Sequence, residues 1–524
     1  MQYFEIDNNN SNKKNTKKSI KIFNSKFLIA FIPIFISIIA LLFIITANYF
    51  TKENPHIPKE EKKEDKKLPK IDNNKIEKKE INLEVIKKSP FLHTKYILDL
   101  FKKYNNLDFT IFEKNINKIK QRIYSIINNK KENEDLYKIL STIYGAFLAD
   151  SMGSFCEFKP FNKNNHLSIF ENNNNRRIFK AGQVTDDSEM AMSQAYAIMD
   201  NSNYKSINEH LMFYYYVIWY YSNPLDIGLT TRTALNTLNL KDVKINDNII
   251  FSEEIKNLIS RQNHGSLANG LLMRISPLLS WFYMINKNYI KNTLASKSTE
   301  KYYELYHKIY VEIEKDSQLT HPNRENAVAG AIFVFMGLCS MEQKYSGKDI
   351  LKMTKILFEH NIFNSKEESI LKSHFINNLK EFEKNNFDKD IYFGNLIDRM
   401  GYYLHAYKLT LYYLYKFNDK TNLKNIYNEI MFEICDFGGD TDTNAAIVGM
   451  IMGPLIGLEN FDKNYLETFL SFYSKDRMIY TNVFMYFYAK YLIDISNNTN
   501  ISFNDSNINF NFFKMINDML NKEL

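Results

Sequence analysis

Two short stretches, Gly182-Gln183-Val184-Thr185-Asp186-Asp187-Ser188-Glu189-Met190 and Gly438-Gly439-Asp440-Thr441-Asp442-Thr443-Asn444, govern how the rest of this chain is read. Both have one grammar: glycine, then carboxylates and hydroxyls, then a helix-forming run. The first continues into an Ala/Met/Tyr-rich helical pattern through Ile198, the second into a small-residue pattern holding Gly449, Gly453 and Gly457. Either stretch alone reads as a helix cap and a turn, because a hydroxyl or carboxylate at a helix start satisfies free backbone N–H groups and the helix dipole. Together they carry more acid than capping needs. Carboxylates gathered in one place repel unless a cation neutralises them, and carboxylate and hydroxyl oxygens suit Mg²⁺ or Mn²⁺ better than zinc. The apolar run from Ala445 to Leu458 has 14 residues, short of the roughly 20 that cross a bilayer. Its four-residue glycine repeat therefore reads as close helix packing in a core.

The chain has 524 residues, 45% hydrophobic and 24% charged, enough for one large domain or two ordinary ones. Collagen-like, mucin-like and disulfide-scaffold classes are excluded. Cys156, Cys339 and Cys435 are too scattered for a local disulfide framework or a CxxC zinc site. Of the net charge of +7, over half sits in residues 1–26, where six lysines face only Glu5 and Asp7; no specific nucleic-acid binding is expected. With 15% aromatic residues and abundant Asn, Lys and Ile, the composition fits AT-rich coding, under which glycine is scarce. Only 16 glycines occur, none before Gly145, and most stand in short clusters. Those clusters are where a side chain is least tolerated.

Residues 27–47 form an uncharged, mostly apolar run of 21 residues, long enough to span a hydrocarbon core. Lys13 to Lys26 precede it without an acid between them, whereas Lys52 and Lys59 beyond it are offset by Glu53, Glu60 and Glu61. The expectation is a signal anchor with a cytosolic N-terminus and a luminal or extracellular catalytic domain; the run exceeds the core of a cleaved signal peptide. The division expected is a basic tail (1–26), the anchor (27–47), a charged linker (48–88), a helical extension (89–136), an all-α domain (137–495) with low-complexity insertions, and an Asn-rich tail (496–524). The all-α expectation rests on three- and four-residue spacing of apolar residues, as in Ile116, Ile119, Ile123 and Ile126. The polar stretches at about 238–262 and 341–390 read as expanded loops or added helices.

Three further segments complete the set. Gly145 to Glu157 ends a helix in a turn carrying Asp150 and Glu157; Pro224 to Arg232 and Gly265 to Arg274 are glycine-bearing loops whose N–H groups suit a diphosphate. Thr320-His321-Pro322 precedes the apolar run from Ala327 to Leu338, with Thr320 the expected cap and Pro322 in the first turn.

In this order, the segments resemble the ADP-ribosylglycohydrolase family, particularly its dinitrogenase reductase-activating glycohydrolase branch. Gly182 to Met190 is similar to that branch's Gly-Gln-Val-Thr-Asp-Asp-Thr-Glu-Met, Gly438 to Thr443 to the family's Gly-Gly-Asp-x-Asp-Thr, and Asn269 to Arg274 to its Asn-Gly-x-x-Met-Arg. The resemblance covers about 137–460. It implies a helical fold and a binuclear Mg²⁺ or Mn²⁺ centre, held by Thr185, Asp186, Asp187, Asp440, Asp442 and Thr443, that hydrolyses the bond between ADP-ribose and an ADP-ribosylated protein or small-molecule acceptor. Glu157 and Asp187 would be catalytic, while Asp226, Gly228, Ser266, Asn269, Gly270 and His321 would bind substrate, in a monomeric catalytic domain. Ala149 and Ser188 depart from the family's usual Gly and Thr, and Leu267 and Ala268 lack the aromatic that some branches carry in the ligand loop. The rival readings are a catalytically idle ADP-ribose-binding scaffold and a metal-dependent nucleotide-diphosphate phosphohydrolase.

Overall fold

In a computed structural model, the described residues are 109–497 apart from 172–178, 202, 238–250, 361–362, 364, 418–422 and 475–476. The chain divides into two units, 1–79 and 80–524, and the first lies outside the described residues. The expected tail, anchor and linker therefore fall outside the description, as do the extension before 109 and the C-terminal tail after 497. Among the described residues no helix is long and apolar enough to cross a membrane.

Every regular element among the described residues is helical, and extended backbone pairs only in one isolated antiparallel bridge between Ala268 and Tyr402. The helices that build the centre are α1 (Glu134–Gly153), α2 (Asp186–Asp200), α3 (Glu209–Tyr221), α4 (Arg324–Met341), α5 (Tyr403–Lys416), α6 (Ile426–Phe437) and α7 (Thr441–Ile456). Helix α4 is buried from Asn326 to Met341, and α7 is buried along its whole length; helices apolar all round belong in a core. The polar stretch 341–390 forms helices as well, because Ser346 with Asp349 and Ser365 with Glu368 make capping boxes at the starts of Gly347–Phe358 and Lys366–Phe382.

The most extensive helix pairing joins α1 to α7. A Cβ on Gly145 would lie 2.5 Å from the Gly449 carbonyl oxygen, and one on Gly453 2.3 Å from that of Ser141. The glycine repeat in α7 is thus a helix-packing seam, as its length indicated. Where the pair ends, a Cβ on Gly153 would lie 2.5 Å from the Asp442 Cα, so the last turn of α1 abuts the first turn of α7. That contact places the acids of both segments together.

One local expectation is corrected. Asn323, not Thr320, caps α4, accepting from the Glu325 N–H at 2.9 Å. The Thr320 hydroxyl is engaged by His321 Nδ1 at 2.8 Å, and Pro322 lies ahead of the cap.

Candidate active site

Thr185 caps α2, with its hydroxyl accepting from the Asp187 N–H and donating to Asp187 Oδ2 at 2.9 Å. Asp186 and Asp187 follow in the first helical turn. The cap is thus the Thr185 hydroxyl, and neither following carboxylate is needed for it. Asp150, in the last turn of α1, is fully buried at the helix end that disfavours negative charge. It is held by the Thr185 N–H (3.1 Å), the Ser188 N–H (3.2 Å) and the Ser188 hydroxyl (2.5 Å). Ser188, where the resembling branch has threonine, supplies two of these bonds.

On the other side, the turn after α6 requires φ of 75° at Gly438 and 78° at Gly439, where only glycine is unstrained. A Cβ on Gly439 would strike the Leu396 carbonyl at 2.6 Å. The turn delivers Asp440 and Asp442 to the start of α7, where Asp442 Oδ1 accepts from the Thr443 N–H at 2.9 Å. Glu157 lies in the turn after α1, and the Phe158 N–H beside it donates to the Gly439 carbonyl at 2.8 Å.

The two acidic stretches meet. Asp150, Asp187 and Asp442 each offer a carboxylate oxygen within 4.8 Å of the others, and so do Glu157, Asp440 and Asp442. Asp442 belongs to both groups. Burial and then neighbouring carboxylates raise Asp186, Asp187 and Asp442 well above the usual carboxylate range. Burial, followed by Asp440, Asp226 and Asp186, pushes Glu157 up to about 9; burial raises Asp150 to about 6 against the pull of its hydrogen bonds. Asp187 Oδ1 is buried without a hydrogen-bond partner. Crowded carboxylates with an orphaned oxygen form a donor set that could hold a hard cation.

Of the remaining predicted residues, Gly228, Asp226 and Asn269 adjoin the acids, while Ser266, Gly270 and His321 lie one step further out in the loops. The Gly228 N–H donates to Asp186 Oδ2 at 3.3 Å, and a Cβ on Gly228 would meet nothing within 4 Å, leaving open space beside the loop. Asp226 accepts from the Ile227 N–H and faces Asp186 and Glu157 electrostatically. The Ser266 and Thr230 hydroxyls lie 2.8 Å apart, joining the two glycine-bearing loops. The Asn269 carboxamide donates to Asp440 Oδ2 at 2.7 Å, tying the second loop to the acids. Gly270 packs on His321, whose Cε1 would lie 2.6 Å from a Cβ there. His321 is 1% exposed and held well below its usual pKa by burial and then by Arg274, so it stands as a neutral imidazole.

Sequence reasoning left three contributors unassigned. Asp150 was quoted with its segment but given no role. Arg274, fully buried, donates to Asp316 Oδ2 (3.0 Å), the Asp316 carbonyl (3.2 Å) and the Gly270 carbonyl (3.2 Å), so the motif arginine is a strut for the loop. Tyr402 pairs backbone to backbone with Ala268 in the loop that lacks an aromatic; the Asn269 N–H donates to the Gly401 carbonyl at 2.8 Å, and Arg399 stacks on Tyr402 at 4.9 Å. No local periodicity signals that pairing.

The helical scaffold thus converges carboxylates from separate segments on one buried centre, with two glycine-bearing loops beside it. The chain belongs to the ADP-ribosylglycohydrolase family: the model of that family, "ADP-ribosylglycohydrolase", matches residues 132–481. It is accordingly a hydrolase of ADP-ribose linkages. A protein of Acanthamoeba polyphaga mimivirus named "Putative ADP-ribosyl glycohydrolase L543" is 29% identical over 324 residues, covering 60% of this chain and 86% of that protein. A solved structure described as an "ADP-ribosylglycohydrolase-related protein complex" aligns at 15% identity with a TM-score of 0.44, covering 70% of this chain and 99% of that one.

Proposed function

We propose that the chain releases ADP-ribose from an ADP-ribosylated acceptor by attack of water at the anomeric carbon of the distal ribose, with two Mg²⁺ or Mn²⁺ ions held by Thr185, Asp186, Asp187, Asp440, Asp442 and Thr443. The observation that carries this reading is the meeting of Asp187 with Asp442 across two segments far apart in sequence, with oxygens within 4.8 Å. Bound divalent ions would supply Lewis-acid charge and lower the pKa of an attacking water. Glu157, whose carboxyl stands beside Asp440, Asp226 and Asp186, is suited to carry a proton at its carboxyl oxygen to or from the reacting centre. The open space at Gly228 and the loop holding Ser266, Asn269 and Gly270 suit the diphosphate, and Tyr402 offers an aromatic face for the base. The acids surrounding the centre favour positive charge developing on the ribose ring in the transition state.

In this proposal residues 137–495 carry the chemistry. The apolar run at 27–47 and its lysine-rich flank support an anchored chain with the catalytic domain on the luminal or extracellular side.

The test is product analysis with the full-length chain, Mg²⁺ or Mn²⁺, and acceptors ADP-ribosylated on arginine or serine. Free ADP-ribose with an unmodified acceptor, lost on chelation, is the expected result. Release of AMP would establish diphosphate cleavage instead, and binding without turnover would establish the scaffold reading.

A further inference from the structure

Behind the acidic centre lies a buried ion pair with no part in the chemistry above. Arg477 donates through Nε to Glu189 Oε1 at 2.8 Å and through Nη2 to Glu189 Oε2, while Nη1 reaches the Ser222 carbonyl at 3.0 Å and the Ser222 hydroxyl at 2.8 Å. Trp219 Nε1 donates to the same glutamate at 2.9 Å, and the guanidinium stacks on Tyr480 at 4.7 Å. Arg477 is 7% exposed, Glu189 4% and Ser222 2%.

The partners matter for what they adjoin. Glu189 follows Asp186 and Asp187 in the first turns of α2. Ser222 closes α3 and leads through Asn223, at φ 56°, to Asp226. The same C-terminal segment also holds the stretch before Thr185, since Asn482 Nδ2 donates to the Gly182 carbonyl at 3.1 Å and to the Phe469 carbonyl at 2.7 Å. One planar fork therefore spans the helix start that carries two acids and the loop that carries a third. A bidentate guanidinium fixes orientation as well as distance, which a single-point ammonium does not.

We infer that Arg477 is a positioning residue, setting the spacing between Asp186 and Asp226 through Glu189 and Ser222 without touching substrate. The consequence for ligand affinity rests on the proposed function; the consequence for loop order does not. Residues that orient the groups around a metal or substrate typically change affinity or activity by about 10- to 100-fold when replaced.

The experiment compares full-length wild type, Arg477→Lys and Ser222→Ala by hydrogen exchange over 182–189 and 222–228, by melting temperature, and by calorimetry with free ADP-ribose and Mn²⁺. Arg477→Lys is expected to raise exchange in both segments selectively and to weaken ADP-ribose binding about tenfold. Ser222→Ala, which removes the hydroxyl's hydrogen bonds with Arg477 and with the Trp219 carbonyl, is expected to loosen 222–228 alone with little change in melting. Exchange that rises uniformly, or stays at the wild-type level in both variants, overturns the inference, as does a lowered melting temperature with ADP-ribose affinity unchanged. If Arg477→Lys does not fold, Ser222→Ala decides: wild-type exchange over 222–228 overturns the inference. Wild type that binds no ADP-ribose refutes the proposed function instead, and the exchange comparison still decides the role of Arg477.

Discussion

Gly145 and Gly449 touch backbone to backbone: a Cβ on Gly449 would lie 2.1 Å from the Gly145 carbonyl oxygen, and 2.8 Å from the Ala149 Cβ. The crossing is stabilised further by the Tyr427 hydroxyl, which donates to the same Gly145 carbonyl at 2.5 Å. The approach fixes how α1 and α7 end relative to each other, and so where Asp150 and Asp442 stand.

Gly449→Ala is therefore expected to cost about 3 kcal/mol, the upper range for overpacking a filled core, and to lower ADP-ribose release in the folded fraction. Urea denaturation with a parallel activity assay checks both. A variant as stable as wild type would show that α1 and α7 have room to separate.

Asp150 and Asp187 share one cluster yet have opposite stability signs. Asp150 accepts from the Thr185 and Ser188 N–H groups and the Ser188 hydroxyl; Asp150→Ala leaves those buried donors without their acceptor, at a cost of about 3 kcal/mol. Asp187 has an unpartnered oxygen and repelling neighbours, so Asp187→Asn is expected to stabilise the cation-free protein while abolishing ADP-ribose release. Thermal melts in chelator separate the two. Equal destabilisation by both variants would contradict this division of roles.

The pH dependence follows from the same crowding. Glu157 rises from an ordinary 4.5 to about 9, and Asp186, Asp187 and Asp442 also rise. A carboxyl with a raised folded pKa binds its proton more tightly when folded. Its stabilising contribution is complete below the unfolded value and is lost as pH climbs through the folded one. In chelator, the melting temperature is expected to fall between about pH 5 and pH 9, less steeply in Asp442→Asn. Mn²⁺ is expected to oppose the fall, because a cation binds the deprotonated acids. Equal slopes in wild type and variant would place the pH dependence elsewhere.

Much of this was legible in the chain. Period-four apolar spacing marked the helices, and glycine followed by acid marked both halves of the centre, because scarce glycines stand where backbone geometry excludes a side chain. The glycine repeat of α7 could be assigned to packing by length alone. What the sequence concealed depends on partners remote along the chain. Tyr402 meets Ala268 through one backbone bridge, and Arg477 meets Glu189 across most of the domain. The cap of α4 was misplaced because Pro322 reads as a first-turn residue, whereas the helix starts two residues later behind Asn323, a stronger cap than threonine.

Glu157 offers the sharpest separation of chemistry from binding. Its carboxyl sits among Asp440, Asp226 and Asp186, and in the cation-free protein burial and these neighbours raise its pKa. Glu157→Gln retains the shape and a neutral headgroup, so folding and ADP-ribose affinity are expected to stay close to wild type. Proton transfer is what the amide cannot perform, and loss of such a group lowers turnover by about 10²- to 10⁴-fold. Steady-state kinetics on an ADP-ribosylated acceptor, with calorimetry on free ADP-ribose, reads the two effects apart. Turnover within about threefold of wild type would remove Glu157 from the proton path and leave that task to Asp187 or another carboxylate at the centre.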